Sequence, residues 1–131
     1  MVKMSKGLKI ILLVDIVVAV YYGVLYLLLP EYYSQRNDAP TFDLHMWRLF
    51  GGTIFVLGIA GIIALKRGEW EAVKPIMEVV ILWLTMVALL DIIWVLSISA
   101  SPTYIRSTST TIILLIILVI VNIYFYQREE K

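Results

Sequence analysis

The stretch DLHMWRLFGGTIFVLGIAGIIAL, residues 43–65, decides the fold. After Arg48 it carries no charged residue through Leu65, 17 positions in all. At about 1.5 Å per residue that is roughly 25 Å of uninterrupted apolar helix. With Leu44–Trp47 the run reaches the roughly 20 residues that a helix needs to cross the hydrocarbon core of a bilayer. Gly51, Gly52 and Gly58 punctuate it without breaking its apolar character. Small residues inside such a run let a neighbouring helix come close.

Three further segments match this pattern, at about Leu8–Leu29, Pro75–Ser99 and Pro102–Tyr126. The last begins with polar residues, SPTYIRSTSTT, but helical Ser and Thr bond the preceding turn and do not end a span. The chain has 131 residues and is 61% hydrophobic. A soluble domain is about 45–50% apolar, so the surplus calls for lipid. The fold expected is all-α: one polytopic domain over residues 1–131, a bundle of four transmembrane helices. The longest connection, PEYYSQRNDAPTF, is read as a polar loop. Segment 8–29 is too long for the h-region of a signal peptide and is followed by Leu-Leu-Pro, so it is read as a retained span.

Charge sets the orientation. Lys3, Lys6, Lys9, Lys66, Arg67, Lys74, Arg128 and Lys131 flank one side, and Arg36, Arg48 and Arg106 the other, a bias of eight to three. Cytoplasmic flanks hold the excess of Lys and Arg, so a multi-pass protein of the cell membrane with both termini in the cytoplasm is expected. Tyr32, Tyr33 and Tyr104 then belong to an outer aromatic belt, and Trp70, Tyr124 and Tyr126 to an inner one.

Polar groups within the spans are the candidates for function, because each costs free energy in lipid unless it is paired or hydrated. They fall into two layers by depth. Asp15, Glu78 and Asn122 form the inner layer; His45, Arg48 and Asp91 form the outer one. Asp15, Ala19, Tyr22 and Tyr26 recur at helical spacing and share one stripe. Thr108, Thr111, Leu115, Leu118 and Asn122 form a second. Arg48, Gly51, Gly52, Phe55 and Gly58 share a broad face of the second span. Three expectations follow: Arg48 pairs with Asp91 and sets helix register; a protonated Asp15 bonds a neighbour such as Asn122, or serves as a proton or cation site; Glu78, near the interface, faces headgroups or water.

The composition closes off other chemistry. With no cysteine there is no disulfide and no thiolate metal centre. The single His45 cannot supply two haem ligands, and His45 with Asp43, two residues apart, does not share a helix face for a metal. No cofactor and no metal are expected. A net charge of +1 does not suit nucleic acid as a partner.

The order Leu-Pro at residues 29–30, a polar outer connection, Arg48-x-x-Gly51-Gly52, Leu57-Gly58 and a basic end at Lys66–Arg67 resembles the DoxX-like group of small four-helix membrane proteins. The resemblance covers about residues 30–65. It implies a four-helix membrane fold in which the arginine and glycines are structural or line a pocket. Some members of the group are named as membrane subunits of quinol-oxidising systems. No catalytic residue carries over. Three functions are weighed: a non-enzymatic bundle, acting as an accessory subunit, a homo-oligomer or a binder of a small apolar ligand; a small proton-coupled exporter; and a membrane enzyme acting on a lipid or quinone through Asp15, Glu78 or Asp91.

Overall fold

The computed structural model describes residues 3–131. Four long helices account for most of them: α1 (Lys6–Leu28), α3 (Leu44–Arg67), α4 (Trp70–Ser97) and α5 (Pro102–Glu130), with a short α2 (Pro30–Asn37) between the first two. All four long helices are apolar and long enough to cross a membrane. The protein is an all-α membrane bundle.

Local chemistry sets the boundaries. Ser5 caps α1, its hydroxyl accepting from the Leu8 N–H. Asp43 caps α3 through the Met46 N–H, and Ser101 caps α5 through the Tyr104 N–H with Pro102 in the first turn. Such oxygens satisfy N–H groups that have no partner within the helix. Gly68 ends α3 at φ 70°, where a side chain would be strained. The polar start of α5 holds as helix because Thr110 and Thr111 bond back to the carbonyls of Arg106 and Ser107.

Two boundaries differ from the reading of the sequence. The stretch read as a polar loop contains α2, started by Pro30 and closed by Asp38 in the left-handed conformation at φ 55°. Pro at a first turn and Asp at a C-cap both suit a short helix. Pro75 does not begin α4; the helix starts five residues earlier at Trp70 and runs through the proline.

Around the bundle the order is α1, α3, α4, α5, and back to α1. The most extensive seam joins α1 to α3, and the next α4 to α5. The seams between these pairs are thin, and α2 rests on α1, α3 and α5 but not on α4. One end of the bundle, which carries both termini, is packed solid. Met4, Leu8, Ile11, Leu12, Ala64, Trp70, Val73 and Met77 form a buried cluster there. Polar ties surround it: Met4 N–H to the Gly68 carbonyl, Ser5 N–H to Glu129 Oε1, and an ion pair between Lys74 and Glu130. Trp70, expected in an interfacial belt, is instead 3% exposed and packs edge-on against Tyr126.

A candidate ligand cavity between the helix pairs

The thin seams leave a cavity of about 110 Å³ between the two helix pairs. One water needs roughly 10–15 Å³ of such space, so the cavity suits several waters or a small molecule. All four membrane-spanning helices line it. From α1 come Asp15, Ala19, Tyr22 and Tyr26, the same stripe that helical spacing picks out in the sequence. Phe50, Ile54, Leu57 and Gly61 come from α3. Val80, Trp83, Val87 and Asp91 come from α4, and Thr111, Leu115 and Leu118 from α5.

Two regions of the wall differ in chemistry. Near the end that carries the termini, Asn122 is fully buried and its Nδ2 donates both to Asp15 Oδ1, at 3.0 Å, and to the Leu118 carbonyl, at 2.8 Å. Asp15 Oδ2 and Asn122 Oδ1 are buried without a hydrogen-bond partner. The Asp15–Asn122 contact anticipated from depth is therefore present, and it uses one carboxylate oxygen and leaves the other free. Towards α2 the wall is aromatic. The Tyr26 ring lies 5.1 Å from that of Phe50, which stacks on Trp83 at 5.9 Å. Tyr26 also meets Tyr22, Tyr33 and Trp47. Burial pushes the Tyr33 hydroxyl on α2 above the usual tyrosine range, so it sits at this end as a neutral group. Asp91 lies two turns, about 12 Å, beyond Trp83 along α4. Among the described residues, the lining holds two carboxylates and no lysine, arginine or histidine.

The remaining expected site residues lie elsewhere. Arg48 and His45 are exposed, and neither lines the cavity. Arg48 makes no ion pair with Asp91; the one ion pair among the described residues is Lys74–Glu130. The reason is rotational. At 100° per residue, Arg48 projects about 150° away from the mean direction of Phe50, Ile54, Leu57 and Gly61, the cavity face of α3. Of the two adjacent glycines on that turn of α3, Gly51 serves α1 and Gly52 no helix at all. A Cβ on Gly51 would come within 2.7 Å of the Leu27 nitrogen, whereas one on Gly52 would meet nothing within 4 Å. Glu78 is exposed too, and accepts a 2.6 Å bond from the Tyr126 hydroxyl outside the cavity. Asp43 is spent on its helix cap.

Phe50, Trp83 and Val87 belong to the wall and were not singled out in the sequence. A signal for two of them was present: Trp83, Val87 and Asp91 recur every four residues, and following Asp91 down its own helix face would have found them.

No protein-family model, curated protein or solved structure matches the chain.

Proposed function

We propose that this chain is a non-enzymatic, multi-pass protein of the cell membrane that binds a small, largely apolar molecule between its four helices. The observation that carries this reading is the cavity, to which all four membrane-spanning helices contribute side chains. Binding sites are concave and mostly apolar with a few placed polar groups, and the space between helices of a bundle is a recurrent position for them. The Tyr22, Tyr26, Phe50 and Trp83 rings supply the apolar faces; Asp15, Asp91 and Thr111 supply the polar groups. The resemblance of residues 30–65 to the DoxX-like group enters as part of the same reading, since Phe50, Ile54, Leu57 and Gly61 fall in that stretch.

The test is thermal unfolding of the purified chain in lipid nanodiscs with neopentylbenzene. A ligand at a hundredfold excess over its Kd stabilises the folded state by about 2.7 kcal/mol. The wild-type chain should show a rise in Tm, and Val87→Phe, which fills the cavity from α4, should remove it. An unchanged wild-type Tm over the soluble range of the probe would count against the reading.

Both termini are placed in the cytoplasm, supported by the eight-to-three distribution of Lys and Arg. Single cysteines at Gln35 and Glu130, both exposed, should react with an impermeant maleimide from opposite sides of the membrane. Labelling of both from one side would overturn the placement.

A further inference from the structure

The cavity that the proposed function rests on has a sign as well as a shape. Its ionisable carboxyl groups are Asp15 and Asp91, with no basic side chain in the lining. Asp15 has one oxygen held by Asn122 and the other buried without a partner. Asn122 cannot neutralise a carboxylate; it donates an amide hydrogen and keeps its own Oδ1 unpartnered. Basic residues elsewhere do not reach the site: Arg48 lies on the far side of α3, and Lys74 is engaged by Glu130. The aromatic wall has the complementary property. The faces of Tyr22, Tyr26, Phe50 and Trp83 carry negative electrostatic potential and attract cations. Desolvated cation–aromatic contacts are the stronger ones, and this wall lies within the bundle.

We infer that the ligand of this cavity is an organic cation with an apolar body, its charge held between the Asp15 carboxylate and the ring faces of Tyr22, Tyr26, Phe50 and Trp83. The inference rests on the cavity being a binding site and adds the chemical class of what it binds. A cation gains at this site from both the Asp15 carboxylate and the aromatic faces. A neutral molecule of the same shape gains from dispersion with the rings alone, and an anion meets two acids.

Benzyltrimethylammonium and neopentylbenzene separate these contributions, because they differ in one atom, quaternary nitrogen against quaternary carbon. The charge of the ammonium compound is independent of pH. Equilibrium dialysis of both against the full chain in nanodiscs of zwitterionic lipid, corrected with protein-free nanodiscs, measures each affinity. The cation should bind at least tenfold more tightly than the hydrocarbon. Asp15→Asn should weaken the cation at least tenfold and leave the hydrocarbon within twofold, which also reports that the variant is folded. Trp83→Leu keeps apolar contact and should weaken the cation several-fold more than the hydrocarbon; it stands in if Asp15→Asn does not fold. Equal affinity of the two probes, or tighter binding of the hydrocarbon, overturns the cationic class and leaves the cavity as a neutral ligand site. Binding of neither probe removes the proposed function itself. Cation binding unaffected by both Asp15→Asn and Trp83→Leu places the cation elsewhere and overturns the inference.

Discussion

The α1–α3 seam and the α4–α5 seam are built from different residues. Four glycines line the first: Gly23 against Phe55, Gly51 against the backbone of Tyr26 and Leu27, Gly58 against Ala19 and Val20, and Gly61 against Ile16. No glycine occurs in α4 or α5. Their seam is made of Val80, Leu84 and Ala88 with Leu115 and Leu118. In lipid, helices associate through close van der Waals contact and not through hydrophobic burial, so small residues set how near two backbones come. The first pair therefore packs glycine backbone against the backbone and side chains of its neighbour, and the second packs side chain against side chain. The cavity falls between the two pairs, where neither device operates. Glycine placement in this sequence decides which helices close together and which leave a space.

The largest effect expected is at the glycine seam. Gly51→Ala places a Cβ within 3 Å of α1 backbone atoms, which cannot move as a flexible side chain would. Overpacking of this kind costs about 1–3 kcal/mol, and the upper end is expected here. Equilibrium unfolding in mixed detergent micelles measures it. If Gly51→Ala is neutral, α1 and α3 are not held by backbone approach, and the contrast between the seams fails.

Next is the polar contact on the cavity wall. Asn122→Leu leaves Asp15 with two unpartnered oxygens, and stranding a buried polar group costs about 1–3 kcal/mol. Asp15→Asn keeps an acceptor for the Asn122 amide and should cost less. The double substitution Asp15→Leu with Asn122→Leu should recover part of the Asn122→Leu loss, because both partners are then apolar. The same unfolding assay separates the three, and a double variant no more stable than Asn122→Leu would show that the two groups do not act as a pair.

The smallest effects are expected at positions that belong to neither seam. Gly52→Ala meets open space, and Ala is the better helix former by roughly 0.5–1 kcal/mol, so the variant should be as stable as wild type or slightly more so. Arg48→Gln, on an exposed position with no carboxylate partner, should stay within about 0.5 kcal/mol. A loss above 2 kcal/mol at Arg48 would restore the Arg48–Asp91 pair that this structure does not contain.

Length and apolarity made the four spans legible in the sequence, because lipid admits few alternatives to a 20-residue helix. The Asp15–Tyr26 stripe was legible as a wall, and Asn122 as the partner of Asp15, because both arguments use periodicity and depth along single helices. The Arg48–Asp91 pairing failed on the quantity that depth does not contain, the direction in which a neighbouring helix lies. Gly51 and Gly52 are adjacent and point about 100° apart, so the pair of glycines did not say which one meets a helix. Trp70 misled through its type: tryptophan near a span end suits an interface, but here the chain before α1 folds over it through the bond between Met4 and Gly68. The cavity was invisible as a space, since it arises from seams between helix pairs and not from any one segment.

Methyl NMR of the chain in nanodiscs tests whether the space between the two helix pairs takes up a small molecule. Isotope-labelled Ile, Leu and Val methyls report both surfaces at once. On titration with neopentylbenzene, saturable shifts are expected at Ile54, Leu57, Val80 and Val87, which line the cavity, and none beyond the protein-wide baseline at Val17, Leu82 and Ile113, which are exposed on the bundle exterior. Shifts confined to Val17, Leu82 and Ile113, or a uniform unsaturable drift of all methyls, would contradict binding in the cavity.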